Sequence, residues 1–227
     1  MTEALFSEWT TYRKVVENDY MHHHDYFGAL ASIIDGRFSA PIHVLDIGCG
    51  DAAPVLDLLA TALVARYVGL DESSSALSLA GETLASTDVP FELIAGSMES
   101  AIEGVTGTFD LIVASYSLHH LDGEQKQKML SRLKSLLAPG GMIAVIDVFL
   151  EPGETRDRYQ VRWEEDARSR FKALAPAELD ELVSHIRGSD LPETLEDYSR
   201  WAMDAGFEQV RQVARGPARL NQFISIT

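Results

Sequence analysis

Four residues within a six-residue span carry the densest chemistry in this chain: Asp46, Gly48, Gly50 and Asp51. They belong to the run Val44-Leu45-Asp46-Ile47-Gly48-Cys49-Gly50-Asp51-Ala52, where an apolar strand ends in Gly-x-Gly and a helix is expected to open directly after. Glycines at such a turn permit a tight reversal and let a ligand lie against the backbone. The first amides of the following helix point at the same spot. The two acids set the sign of charge there. Carboxylates so placed repel a pyrophosphate and attract a ligand that carries an ammonium or a sulfonium. Farther on, Gly69-Leu70-Asp71-Glu72 places an acid at the end of the next apolar run, 23 residues after Gly48. A carboxylate at that strand end can accept hydrogen bonds from both hydroxyls of a ribose, or serve as an ordinary helix cap.

Proton chemistry has its own candidates. Ser115-Tyr116-Ser117-Leu118-His119-His120 follows an apolar run directly. Histidine titrates near neutrality, which makes His119 the first choice for a general base. Tyr116 would orient a substrate beside it, and both side chains would also serve simply to pack the loop. The segment Tyr12…Tyr20-Met21-His22-His23-His24-Asp25-Tyr26 is rich in polar aromatics. Adjacent helical residues point about 100° apart, so three consecutive histidines do not converge on one ion. No His-x-x-x-His or His-Glu-x-x-His spacing occurs, and no metal is expected. His23 and His120 are instead candidates for contact with a substrate. Arg156, Arg158, Arg162, Arg168, Arg170 and Lys172 cluster near Trp163 and Phe171. Arg158 and Arg162 could grip a substrate carboxylate, or spend their charge on Glu164, Glu165 and Asp166. Arg219 and Asn221 are weaker candidates for the same task. Phe149, at the carboxyl end of a strand, is a candidate for substrate contact.

These residues need a frame. Residues 3–37 keep a helical rhythm through Leu5, Trp9, Tyr12 and Val16, with a break near 18–21 before Tyr26, Leu30 and Ile34. From residue 42 short apolar runs alternate with amphipathic stretches. Strands are expected at 43–47, 65–70, 90–95, 109–115 and 142–150. Helices are expected at 52–64, 73–85 and 122–137, the last capped by Asp122. This alternation implies a doubly wound, mainly parallel sheet with helices on both faces. Residues 151–205 read as helices at 154–173, 176–187 and 194–205. Two strands around Gly216-Pro217 end the chain as a hairpin. Four regions result: an N-terminal helical cap (1–40), an α/β core (41–150), a helical cap insert (151–205) and a hairpin completing the sheet (206–227).

Composition narrows the partners. Lys and Arg number 19 against 35 Asp and Glu, a net charge of −16. A nucleic-acid binder needs a basic face to displace counterions from phosphates, so nucleic acid is not an expected partner. No apolar run reaches the roughly 18–20 residues that cross a bilayer, and the opening MTEALFSEW has no apolar leader. One cysteine, Cys49, gives no internal disulfide, which suits a cytoplasmic protein.

The motif order over about residues 40–150 resembles the class I, Rossmann-like S-adenosylmethionine (SAM)-dependent methyltransferases. VLDIGCGDA resembles their glycine-rich motif, VGLDES their ribose-binding acid, and AGSM the loop that flanks adenine. FDLIVASYSLHHL and LLAPGGMIAVID resemble the motifs of their fourth and fifth strands. The resemblance implies a seven-stranded sheet in the order 3-2-1-4-5-7-6, with the last strand antiparallel. It implies SAM as cofactor and S-adenosylhomocysteine (SAH) as product. Asp46, Gly48 and Gly50 would line the methionine end, with Ala114 and Ser115 beside it. Asp71 and Glu72 would meet the ribose, and Ser97 and Met98 the adenine. Ser97 stands where the family often has an acid, which shifts adenine recognition toward backbone groups and Met98. Tyr12 and Tyr20 would be lid residues over SAM.

The expected activity is methyl transfer to an N, O, S or C atom of a small acceptor enclosed by the two helical caps. A SAM-binding sensor without turnover and an NAD(P)-dependent oxidoreductase are the alternatives. Exposed aromatics on the N-terminal helices could pair two copies as a homodimer. If Asp71 holds the ribose, Asp71→Ala weakens SAM binding by about 1–3 kcal/mol in calorimetric titration. Unchanged affinity would place the ribose elsewhere.

Overall fold

The computed structural model describes residues 11–61 and 63–227. Leu5 and Trp9 of the N-terminal rhythm lie outside the described residues. Residues 11–17 are helical, and α1 (His23–Arg37) follows a break at 18–22. The core then runs β1 (Ile42–Ile47), α2 (Leu56–Thr61), β2 (Val64–Asp71), α3 (Ser74–Leu84), β3 (Phe91–Ala95), α4 (Met98–Gly104), β4 (Phe109–Ser115), a 3-10 turn (Leu118–His120), α5 (Gly123–Leu136) and β5 (Leu137–Leu150). The insert carries α6 (Arg156–Arg170), α7 (Pro176–Ser189), β6 (Glu193–Thr194) and α8 (Leu195–Asp204). The hairpin β7 (Val210–Arg215) and β8 (Asn221–Ile226) closes the chain.

The main sheet has the order β3-β2-β1-β4-β5-β8-β7, with β6 paired to β5 off that path. This is the order the resemblance implies, renumbered by the two-residue β6, which the hydrophobic pattern is too short to reveal. β8 pairs antiparallel with β5 and with β7. β1, β2, β3, β4 and β5 are mutually parallel.

Both faces are covered, which is why the central strands read as continuous apolar runs. On one face Val44, Tyr67, Leu111, Val113 and Ile146 pack against Tyr26 and Leu30 of α1, Leu58 of α2 and Leu84 of α3. On the other, Leu45, Leu70, Ile112, Val145 and Phe149 meet Leu130 and Leu133 of α5 and Tyr198 and Trp201 of α8. A smaller apolar cluster joins Val15 to Ala167, Phe171, Leu179 and Val183. It docks the N-terminal segment onto the insert.

Two elements depart from the pattern. The helix expected at 52–64 begins only at Leu56. Gly50 and Ala52 both take left-handed backbone angles, with φ of +56° and +57°, so the turn runs on before helical geometry can start. Its far end is lost to β2, which begins at Val64. The alternation also assigns no element to 98–104. There Ser97 caps α4, its hydroxyl accepting from the Ser100 amide at 3.4 Å.

Asp122 fulfils its expected role at α5. Its Oδ1 accepts from the Gln125 amide (2.9 Å), while Gln125 Oε1 accepts from the Asp122 amide (2.8 Å). This reciprocal cap satisfies two donors that the helix leaves open. Asp122→Ala lowers stability by about 1 kcal/mol. The check is a shifted urea midpoint with an unchanged slope.

Candidate functional site

The site lies at the carboxyl ends of β1, β2, β4 and β5, where connections leave β1 and β4 toward opposite faces and open a crevice. Gly48 takes φ +71°, and a Cβ there would come 2.5 Å from the Ser117 Cβ. The turn therefore needs glycine for conformation and for space. Asp71 orders its second limb. One carboxylate oxygen accepts from the Gly50 amide at 2.9 Å and the other from the Ser73 amide at 2.8 Å. Each oxygen keeps a lone pair for a ligand hydroxyl.

Asp46 sits between Gly69 of β2 and Val113 of β4 and is buried. It accepts a 2.8 Å hydrogen bond from the Tyr67 hydroxyl. Burial pushes its pKa up to about 7, against the Tyr67 bond and with the help of Asp71. The site thus withholds from Asp46 the positive partner that would ionise it. Beside the turn, the buried hydroxyl oxygens of Ser115 and Ser117 have no protein partner. Burial, and then the carboxylates of Asp51, Asp71 and Asp46, raise the pKa of Tyr12, which lines the neighbouring cavity. Asp46, the serine hydroxyls and the open turn together fit an ammonium-bearing ligand such as SAM.

Other expected contacts divide. Glu72 is exposed. Ser97 spends its hydroxyl on the α4 cap. Met98 is partly buried against the core. Ala114 points into that core, leaving only its backbone toward the crevice. Tyr20 is bound elsewhere: its ring stacks on Phe171 at 4.3 Å, and its hydroxyl accepts from the Ala173 amide at 2.8 Å. It fastens the N-terminal segment to the insert and lines the neighbouring cavity.

That cavity has a volume of about 680 Å³. Its walls are largely apolar, with Val15, Val148, Trp163, Phe171, Leu182 and Leu220. One end is polar, where His119, His120, His185 and Asp190 converge. Buried Asp147 organises this end. Its Oδ1 accepts from His119 Nδ1 at 2.6 Å and from the Val148 amide at 2.8 Å. Its Oδ2 accepts from the His119 amide at 3.1 Å. Burial opposes a charge on His119, but Asp147 and then Asp190 outweigh it and raise its pKa. His119 Nε2 lies 3.6 Å from Asp190 Oδ1. Lys126, itself buried, donates to the carbonyls of Leu121 and Leu191, the latter at 2.5 Å. It ties the insert's end to the loop that carries His119.

Tyr116 lines the same cavity with a strained backbone, φ +49°. Its hydroxyl donates to the Met21 carbonyl, and its ring meets buried His23 edge-on at 5.1 Å. Burial lowers His23 to about 4, so it is neutral at physiological pH.

Four expected substrate contacts are not brought to the cavity: His23, whose ring packs on Tyr116, together with Arg162, Arg158 and Phe149. Arg162 is bound by both oxygens of Glu154 (2.9 and 2.6 Å) and by the Ala218 carbonyl. Arg158 is exposed. Phe149 is fully buried against Tyr198 on the opposite sheet face. Val148 takes the position at the cavity. Residue-type reasoning missed Asp147, Asp190, Lys126 and His185. Asp147 carried the one available signal, as the sole charge in an apolar strand.

Comparison with known proteins follows the same line. Residues 44–141 match the family model of a methyltransferase domain. An uncharacterized methyltransferase of Mycobacterium tuberculosis is 32% identical over 161 residues, covering 63% of this chain and 75% of that protein. Among solved structures, a putative O-methyltransferase from Nostoc punctiforme aligns at TM-score 0.61 with 22% identity. That alignment covers 87% of this chain and only 54% of the other. Magnesium protoporphyrin IX methyltransferase from Synechocystis, solved with SAH, aligns at TM-score 0.65 with 16% identity, over 99% and 94% of the two chains. The chain belongs to the class I, Rossmann-like SAM-dependent methyltransferases. Its cofactor is SAM. No helix among the described residues is long and apolar enough to cross a membrane.

The raised Asp46 pKa has a measurable sign. Between pH 4 and 7 the folded, cofactor-free protein binds a proton there that the unfolded chain releases, so stability falls as pH rises. Relative to Asp46→Asn, the wild type loses up to about 4 kcal/mol over that window. Denaturant midpoints of the two proteins at pH 4.5 and 7.5 check it. Parallel curves would mean that Asp46 does not titrate there.

Proposed function

We propose that this methyltransferase acts on a small, mainly apolar acceptor held in the 680 Å³ cavity, at a heteroatom that carries a proton at neutral pH. The observation that carries this reading is the buried 2.6 Å pair between Asp147 and His119 at the polar end of that cavity. SAM supplies a methyl group already activated on a sulfonium, and its carbon–sulfur bond breaks as the acceptor's heteroatom bonds that carbon.

The protein's own work is alignment, exclusion of water and removal of one proton. Asp46 and the glycine turn bind the methionine end, and Asp71 the ribose. The N-terminal segment and the insert, sealed by Tyr20 and Phe171, keep water out. Asp147 holds Nδ1 of His119 and so leaves Nε2 to take the acceptor's proton. The carboxylate then stabilises the imidazolium that forms. Tyr116, its hydroxyl committed to Met21, orients the acceptor as a wall. His120 borders the same polar end.

His119→Ala lowers turnover by about 10²–10⁴-fold and leaves SAM affinity within a factor of two. Asp147→Asn, which preserves shape, also lowers turnover. Single-turnover kinetics alongside calorimetric SAM titration measure both. Undiminished turnover in His119→Ala would remove the base from this scheme.

A further inference from the structure

Nε2 of His119 presents a chemical problem beyond its part in proton transfer. Because Asp147 accepts from Nδ1, neutral His119 carries its lone pair on Nε2. That lone pair faces Asp190 Oδ1 at 3.6 Å, beyond hydrogen-bond reach. Asp190 is 3% exposed, and this oxygen has no hydrogen-bond partner. With His119 neutral and Asp190 ionised, two acceptors confront each other across 3.6 Å, which favours a cation, either a proton or a metal ion, between them. The third group is His120, whose ring lies 4.1 Å from that of His119. Its side chain is exposed, unlike those of His119 and Asp190. Ligand atoms of His119, His120 and Asp190 all lie within 4.8 Å of one another.

We infer that His119, His120 and Asp190 form a binding site for one borderline divalent transition ion, with Zn²⁺ the best match. Two imidazoles and one carboxylate suit Zn²⁺ over Mg²⁺ or Ca²⁺, which prefer all-oxygen sites. Tetrahedral bonds of about 2.0–2.1 Å need the three groups to draw in slightly. His119 already has the outer carboxylate, Asp147, that orients a metal-bound imidazole. The fourth position faces the cavity, where the His185 ring stands 6.2 Å from that of His120. Nε2 cannot hold an ion and accept a proton together. If His119 is the base proposed above, occupancy switches methyl transfer off.

Chelator-stripped full-length protein is titrated with Zn²⁺ by calorimetry and with Co²⁺ by visible absorption, without SAM or acceptor. The expected result is one ion per chain, with tetrahedral Co²⁺ bands that Zn²⁺ displaces. His120→Ala and Asp190→Asn each weaken binding at least 10-fold, while His24→Ala in the neighbouring histidine run leaves it unchanged. Absence of saturable binding overturns the site. So does binding that survives both ligand variants or disappears in His24→Ala. One equivalent of Zn²⁺ should also abolish turnover, and a chelator restore it. Saturable Zn²⁺ binding with turnover intact would leave the ion site standing and remove His119 as the base.

Discussion

The buried carboxylate of Asp147 is the constraint on which the polar end of the cavity depends. It stands inside β5 with no exposed surface, where an unsatisfied charge would cost several kcal/mol. Three donors satisfy it: the His119 ring, the His119 amide and the Val148 amide. Two of them belong to the turn after β4, so the need to satisfy Asp147 also fixes where His119 goes. The Leu191 amide then donates to the His119 carbonyl at 2.7 Å, and Lys126 holds the same stretch from below. Asp190 arrives beside Nε2 as a result. One buried charge in a strand thus sets the position of a loop, a helical insert and a second carboxylate.

At the cofactor end the electrostatics work in the opposite sense. Asp46 has a single hydrogen-bond donor, Tyr67, and burial holds much of it in the neutral form near pH 7. A cation arriving at the glycine turn supplies what is missing, so its binding and the ionisation of Asp46 favour each other. The fixed negative charge that the sequence suggests at this turn is better described as a latent one. The preference over a pyrophosphate survives, because protonated Asp46 gains nothing from a second anion and Asp71 stays close by.

Much of the frame was legible in the residues. Five parallel strands, the capped α5 and the terminal hairpin follow from apolar runs, Asp122 and Gly216-Pro217. The glycine turn was legible because Gly48 meets both a conformational and a spatial demand. The acceptor end was harder, for definite reasons. β5 is buried on both faces, so alternation could not say that Val148 rather than Phe149 points to the cavity. Arg162 has the right chemistry for a carboxylate, but Glu154, eight residues earlier, already provides one. Asp190 lies 71 residues beyond His119, and no local pattern joins them. Lys126 reads as an exposed helical lysine until the two carbonyls that it bridges are seen.

The seam between the N-terminal segment and the insert has a kinetic consequence. Tyr20 on Phe171, Arg170 on the Tyr20 carbonyl and Lys14 on Glu178 at 2.6 Å join the two covers to each other. The two covers are therefore joined to each other along a single edge. On the proposed function, acceptor and product would both pass this seam, so traffic at the two ends of the reaction would share one clock. Loosening the seam would trade tight sequestration for faster exchange.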